Sequence, residues 1–294
     1  MIRKILKAYK VHGGRMDQHF LIDRATLDDI TAAASLTKDD IVLEIGGGIG
    51  NLSERLARRA KKLYIIEKDP RMVEILTHRL LGTEDIGGGL SGLGFENVEI
   101  IEGDVLEKDL SAIPFNKVVA NLPYSISSEI TLRLLEQKFD AAVLMYQYEF
   151  AKRLAAPAGG KDYGRLSVHA QYKADVSLIM DVPRSFFDPV PEVDSAVVLL
   201  VPRPVDYDVG DPDYFLRVTQ ALFGQRRKKV KNTLINNRNM IGVSDMKEII
   251  DDLCPEDVTE SEILDMMDRR PEELPPEKIA FLAGFLYGKK SRLI

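Results

Sequence analysis

The 294-residue sequence contains a single cysteine, Cys254. One thiol rules out a disulfide within the chain and argues against a cysteine-based metal site, so no metal is implied. No apolar run reaches the ~18–20 residues that a membrane span needs, and no membrane partner is expected. The opening MIRKILKAYK is basic and amphipathic. It lacks the apolar core and the small-residue cleavage site of a secretory signal. A cytoplasmic location is the expectation. The sequence shows no internal repeat, and nothing in it demands more than a monomer.

Acidic residues are missing from one stretch. Residues 214–240 carry seven Lys/Arg and no Asp or Glu, in a chain of net charge −6. Residues 243–277 are the reverse, with thirteen acids and three bases. The overall sign argues against a nucleic-acid partner, but recognition depends on local potential, and the segregation supplies a basic face.

With 45% hydrophobic and 29% charged residues, the chain has the composition of a soluble globular protein. Between residues 40 and 147, apolar runs alternate with helical patterns. IVLEIG (41–46), LYIIE (63–67), VEIIEG (98–103), VVANLP (118–123) and AAVLMYQ (141–147) have the character of strands buried on both faces. Segments 52–60, 70–81 and 127–137 have helical spacing, and Pro70 suits a first helical turn. The alternation predicts a parallel sheet covered by helices. Two further strands, 176–183 and 193–202, are joined by a loop too short for a crossover helix, so an antiparallel edge is expected. The polar, proline-containing segment 203–213 marks a domain boundary. Only helical patterns follow it. The expected division is 1–204 and 205–294. The Gly-rich stretch 82–97 is expected to be a mobile surface loop.

The chemistry is concentrated at the strand ends. EIGGGIGN (44–51) leaves the first strand and opens a helix, with Gly46, Gly48 and Gly50 permitting a tight turn and close ligand approach. The second strand ends at Glu67, where a carboxylate can accept both ribose hydroxyls. Two cofactors share this arrangement, a nicotinamide dinucleotide and S-adenosylmethionine. The third strand ends in Glu102-Gly103-Asp104, which puts a carboxylate within reach of an adenine amino group and favours S-adenosylmethionine. The glycine loop then faces the methionine moiety.

The fourth strand ends in Asn121-Leu122-Pro123-Tyr124. An adenine 6-amino group is a poor nucleophile because its lone pair is delocalised into the ring. The Asn121 side-chain oxygen and the Leu122 carbonyl can accept its two hydrogens and aim the nitrogen. Pro123 fixes the turn without a competing N–H. Tyr124 offers a flat face to an unstacked base, worth ~1–3 kcal/mol. Positioning and polarisation can carry such a transfer without a strong general base.

Several motifs together resemble the ribosomal RNA adenine dimethyltransferase family: QHFLID (18–23), EIGGGIG, IIEKD (65–69), GD (103–104), NLPYSIS (121–127), YGRLSV (163–168), SFFDPVPEVDSAV (185–197) and LFGQRRKKVKNTL (222–234). They occur in family order. Gly47 and His19 stand where bacterial relatives usually have Pro and Asn, a pattern that looks more archaeal. The resemblance implies a Rossmann-like class I methyltransferase domain plus a small all-α C-terminal domain. It implies dimethylation by S-adenosylmethionine of two adjacent adenosines near the 3′ end of small-subunit rRNA, coupled to biogenesis of the immature small ribosomal subunit. His19 and Leu21 would lie on an arm over the cofactor. Gly46, Glu67 and Asp104 would hold its methionine end, ribose and adenine, and Gly48 belongs to the same loop. Phe187 would form the second aromatic wall of the target-base pocket. His12, His78 and His169 match no catalytic position.

QRRKKVK (225–231) is the densest basic cluster. Arg226, Arg227, Lys228, Lys229 and Lys231 are the expected phosphate contacts, assisted by Arg3, Lys4, Lys7, Lys10 and Arg15. The acidic 243–277 segment is expected to face away from RNA. Alternative readings are a noncatalytic small-subunit assembly factor, a DNA adenine-N6 methyltransferase and a nicotinamide dehydrogenase. The dehydrogenase is disfavoured by NLPY and by the lack of a placed acid–base pair.

Overall fold

A computed structural model describes residues 2–9, 11, 18–82, 85–87 and 90–290 of the protein. The chain forms two compact units, residues 1–151 with 175–202 and residues 152–174 with 203–294.

The first unit is built on a seven-stranded sheet. Its strands are β1 (Ile41–Ile45), β2 (Lys62–Glu67), β3 (Val98–Glu102), β4 (Lys117–Asn121), β5 (Ala141–Gln147), β6 (Ala174–Val182) and β7 (Ser195–Pro202). Their order across the sheet is β3-β2-β1-β4-β5-β7-β6. Strands β1 to β5 pair in parallel, with Ile45 opposite Ile66 and Asn121 opposite Met145. Val42, Leu43, Leu63, Ile65, Val118 and Val119 are fully buried, which is why these runs lack polar alternation. Strand β7 runs antiparallel to β5, with Ser195 opposite Gln147, and sits one place in from the edge. The edge itself is β6, where Leu178 and Ile179 are exposed.

Local sequence sets the helix starts. Asp23 accepts from Thr26 N–H at 2.8 Å and caps the helix Arg24–Ala33. Asp69 accepts from Arg71 N–H at 2.9 Å and caps Pro70–Leu76, with Pro70 in the first turn as expected. The helix expected to continue to residue 81 widens into a π-turn over Thr77–Leu81. That turn directs the Arg79 side chain inward, where it is 5% exposed. Its Nη1 donates to the Ile49 carbonyl, and its Nη2 donates to Glu54 Oε2 at 2.8 Å.

The stretch 82–97 differs from the expected mobile loop. Asp85–Gly87 and Leu90–Ser91 pair as a short antiparallel ribbon. Leu93 and Phe95 pack on the core, and Phe95 N–H donates to the Leu80 carbonyl at 2.8 Å. Residues 83–84 and 88–89 lie outside the described residues.

The second unit is helical. Helices Pro212–Phe223, Val230–Asn236, Val258–Asp268 and Pro276–Lys290 surround a core that includes Phe215, Val218, Leu234, Ile263 and Leu282. Residues 152–174 belong to this unit, although the sequence division placed them in the first. The reason is aromatic burial. Tyr163 is completely enclosed, its ring meets Phe223 edge-on at 5.7 Å, and its hydroxyl donates to the Leu274 carbonyl at 3.0 Å. Among the described residues, no helix is long and apolar enough to cross a membrane, and no group of three or more His, Cys, Asp or Glu is placed to hold a metal ion.

Candidate active site

The sheet order reverses direction at β1, which has β2 on one side and β4 on the other. Ligands in open α/β sheets bind beyond the strand ends at such a switch point. A cavity of about 340 Å³ lies there. It is lined by Gly46 and Gly48 after β1, Glu67 at the end of β2, Asp104 after β3, and Asn121 to Tyr124 after β4. His19 and Leu21, from the segment before helix Arg24–Ala33, complete the wall.

The glycine loop is shaped by backbone conformation. Gly46, Gly48 and Gly50 have φ of 77°, 53° and 79°, a region that L side chains avoid. Gly46 N–H donates to the Ile66 carbonyl at 2.8 Å, which extends the β1–β2 ladder by one residue. A side chain at Gly47 would lie 2.5 Å from Ile65 Cγ2. Gly48 N–H donates to Glu67 Oε2, and Asp69 N–H donates to Glu67 Oε1, both at 2.9 Å. Burial pushes the Glu67 carboxyl above its ordinary range, against the pull of these N–H groups.

Glu44 is a cavity residue to which the sequence reading gave no role. It is 1% exposed, and its Oε2 has no hydrogen-bond partner among the described residues. Burial raises its pKa to about 8, with the Glu67 charge adding and Arg79 opposing. The available signal was a carboxylate inside an otherwise apolar strand, IVLEI. Gln18 was also missed. Its amide donates to Asp69 Oδ2 at 2.7 Å, a partnership across 51 residues that no local pattern reveals.

Asp104 faces the cavity but is already engaged. It accepts from Lys68 Nζ at 2.7 Å and from Leu106 N–H at 2.9 Å. The Lys68 hydrogen bond is the main reason its pKa is lowered. Gly103, at φ 137°, is required by its own backbone, and a side chain there would also meet Lys108 Cε at 2.5 Å.

The tetrapeptide 121–124 closes the β4 side. Asn121 Nδ2 points to the His19 carbonyl at 3.5 Å, a long contact that leaves the amide oxygen available as an acceptor. Leu122 is buried, and its N–H donates to the Met145 carbonyl at 3.3 Å. After Pro123, a 3-10 turn over Tyr124–Ile126 presents the half-buried Tyr124 ring, whose hydroxyl lies 2.7 Å from Ser195 Oγ. The His19 ring stacks near it, with centroids 6.2 Å apart and planes 23° apart. His19 Nδ1 lies 2.9 Å from the Pro189 carbonyl, which can only accept, so Nδ1 carries the proton.

Phe187 is not brought to the cavity. It pairs with Leu21 in a two-residue antiparallel ribbon, and its side chain is 1% exposed within the core. The ring that faces Tyr124 across this opening belongs to His19.

The basic cluster is split by its partners. Arg226 is bound by Glu272 at 2.9 Å and by the Lys161 carbonyl at 2.6 Å. Lys229 and Lys231 both reach Asp268, at 3.0 and 2.9 Å. Arg227 and Lys228 have no partner among the described residues. Two acids of the 243–277 segment, Asp268 and Glu272, thus engage part of the basic cluster. Arg3 pairs with Asp188 at 3.7 Å, Lys4 and Lys7 are exposed, and Lys10, His12 and Arg15 lie outside the described residues.

A family model for ribosomal RNA adenine dimethylase matches residues 14–269. The chain belongs to this family. A relative from Methanosarcina mazei, named "Probable ribosomal RNA small subunit methyltransferase A", is 50% identical over 99% of both chains. The crystal structure of a dimethyladenosine transferase from Plasmodium falciparum aligns with a TM-score of 0.75 and 30% identity, covering 93% of this chain and 98% of that one. That of the 23S rRNA methyltransferase ErmE aligns with a TM-score of 0.61 and 26% identity, covering 91% and 99%. The matched residues extend over both units.

Proposed function

We propose that this dimethylase transfers methyl groups from S-adenosylmethionine to the 6-amino groups of two adjacent adenosines near the 3′ end of small-subunit rRNA, on the immature small ribosomal subunit. The observation that carries this reading is the convergence of Glu67, Asp104 and Asn121 on one cavity beside the glycine loop.

The donor set suits the cofactor. S-adenosylmethionine supplies an electrophilic methyl group on a sulfonium. Glu67, fixed by two backbone N–H groups, keeps lone pairs for the ribose hydroxyls. Asp104 remains ionised beside Lys68 and can accept from the adenine amino group. The unpartnered Oε2 of Glu44 suits a cationic α-ammonium group. The same acid set, with a carboxyl in place of a pyrophosphate-binding surface, favours this cofactor over a nicotinamide dinucleotide.

Asn121 Oδ1 and the Leu122 carbonyl accept the two hydrogens of the target amine, which orients its nitrogen and raises its electron density. The Tyr124 face holds the unstacked base. In each transfer the sulfonium S–CH3 bond breaks as the N–CH3 bond forms, S-adenosyl-L-homocysteine leaves and the displaced N–H proton passes to solvent, so the site must tolerate one methyl beside Asn121 before the second transfer. Substrate choice follows RNA shape, because phosphate contacts from Arg227 and Lys228 carry no sequence information.

The test is methyl transfer from labelled cofactor to small subunits lacking base methylation, with Asn121→Ala alongside and nucleoside analysis of the product. The expected result is N6,N6-dimethyladenosine from the wild type only. Binding of cofactor and particle by the wild type without methyl transfer would leave a noncatalytic assembly factor.

A further inference from the structure

The motif SFFDPVPEVDSAV carries near its end a serine, Ser195, to which none of the roles above assigns a task. Ser195 opens β7 opposite Gln147 and is completely buried. Its hydroxyl lies 2.7 Å from the phenol oxygen of Tyr124, 71 residues away in sequence. The residues before it are tied down. Asp194 accepts from Arg184 N–H through its side chain and from Tyr148 N–H through its carbonyl, at 2.8 and 2.9 Å. The serine therefore presents its hydroxyl from a rigid strand end.

Tyr124 sits differently. It lies on a single 3-10 turn after Pro123, half-buried at the cavity wall. Rotation about the Cα–Cβ bond carries the whole ring and sweeps its far end through the widest arc. A hydrogen bond at the phenol oxygen therefore acts on the longest lever against that rotation. It fixes the direction of the ring axis, and with it the place where a stacked base is held.

We infer that Ser195 is a positioning residue for methyl transfer, acting through the Tyr124 hydroxyl to hold in place the ring on which the target adenine stacks. This inference rests on the reading of Tyr124 as the base platform. It gives the C-terminal end of the SFFDPVPEVDSAV motif a task that Phe187, buried in the core, does not perform. Correct placement of the ring matters more at the second transfer, because the nitrogen then carries a methyl group and has less room to be re-aimed.

The experiment compares Ser195→Ala, Ser195→Thr, Tyr124→Phe, Tyr124→Ala and the double variant Ser195→Ala/Tyr124→Phe on unmethylated small subunits. Cofactor KM, kcat and the ratio of monomethyl- to dimethyladenosine are measured. Loss of one hydrogen bond predicts a fall in kcat of about 3- to 10-fold for Ser195→Ala and for Tyr124→Phe. Cofactor KM should not change, and monomethyladenosine should accumulate. Ser195→Thr should restore rate and product ratio. The double variant should be no slower than either single one, since both remove the same interaction. Wild-type kcat and product ratio in Tyr124→Phe would overturn the inference, and that variant disturbs no core packing. Multiplicative losses in the double variant would also overturn it. A Tyr124→Ala enzyme with the wild-type rate would instead overturn the platform reading itself.

Discussion

The backbone N–H of Gly48 donates to Glu67 Oε2 at 2.9 Å, joining the glycine loop after β1 to the last residue of β2. Loop and carboxylate are thus one device. The loop holds the acid in place, and the acid satisfies an N–H that the left-handed turn leaves without a helical partner. Glu67→Gln would set an amide nitrogen against one of two N–H donors. Loss of a hydrogen bond to a charged group is worth about 1.5–3 kcal/mol, so cofactor Kd should rise about 10- to 150-fold. Isothermal titration with S-adenosylmethionine checks this, and an unchanged Kd would remove Glu67 from the cofactor site.

Glu44 makes stability depend on pH. Its carboxyl goes from an ordinary value of 4.5 to about 8 on folding, mainly through burial. A raised carboxyl pKa means that the folded chain holds the proton more tightly than the unfolded chain. Its contribution is therefore complete below about pH 4.5 and is lost as pH rises through about 8. The slope from one such group cannot exceed ~1.4 kcal/mol per pH unit. Glu44→Gln should flatten the decline in urea-unfolding stability between about pH 5.5 and about pH 8. Part of the slope should remain, because Glu67 is shifted in the same direction. An unchanged slope would show that Glu44 is ionised in the folded protein.

The space beside Gly47 is closed. An added Cβ would stand 2.5 Å from Ile65 Cγ2 and 3.0 Å from Leu76 Cδ1. Ile65 is β-branched and fixed in a strand paired on both sides, so it has little freedom to retreat. Gly47→Ala should destabilise the first unit by ~1–3 kcal/mol through overpacking, measured by urea unfolding. A variant as stable as the wild type would show that Ile65 can repack.

In the basic cluster, Arg227 and Lys228 are the cations without a partner among the described residues, whereas Lys229 and Lys231 share Asp268. Removing Arg227 or Lys228 should weaken RNA binding and reduce the salt slope by about 0.7–0.9 for each phosphate no longer neutralised. Asp268→Asn should strengthen binding and steepen the slope, because it releases two cations. Filter binding to a small-subunit rRNA fragment over a salt series measures both. Equal losses from all five basic residues, with no gain from Asp268→Asn, would show that the ion pairs do not restrain the cluster.

The parallel strands were legible because burial on both faces leaves an unbroken apolar run, and each strand ended within two residues of its expected place. The positions of Gly46, Glu67, Asp104 and Asn121 were legible for a related reason. The switch-point geometry brings residues at successive strand ends together whatever lies between them. Phe187 escaped this logic. Its motif is local, but the direction of its side chain depends on the register of a ribbon with Leu21, 166 residues earlier. Residues 152–174 were misassigned for a similar reason. Their helical pattern is compatible with either unit, and only the enclosure of Tyr163 among the C-terminal helices decides between them.

The sequence by itself determined the strand–helix alternation, the helix caps at Asp23 and Asp69, and the residues presented at the strand ends, because these follow from periodicity and local hydrogen bonding. Tertiary structure decided which groups are already occupied and which remain available. Asp104 is held by Lys68, Lys229 and Lys231 by Asp268, and Tyr124 by Ser195, while Glu44 keeps an unpartnered oxygen facing the cavity. Each depends on side chains meeting across 36 to 71 residues or on the exclusion of water from a closed site. Neither is written in any local pattern.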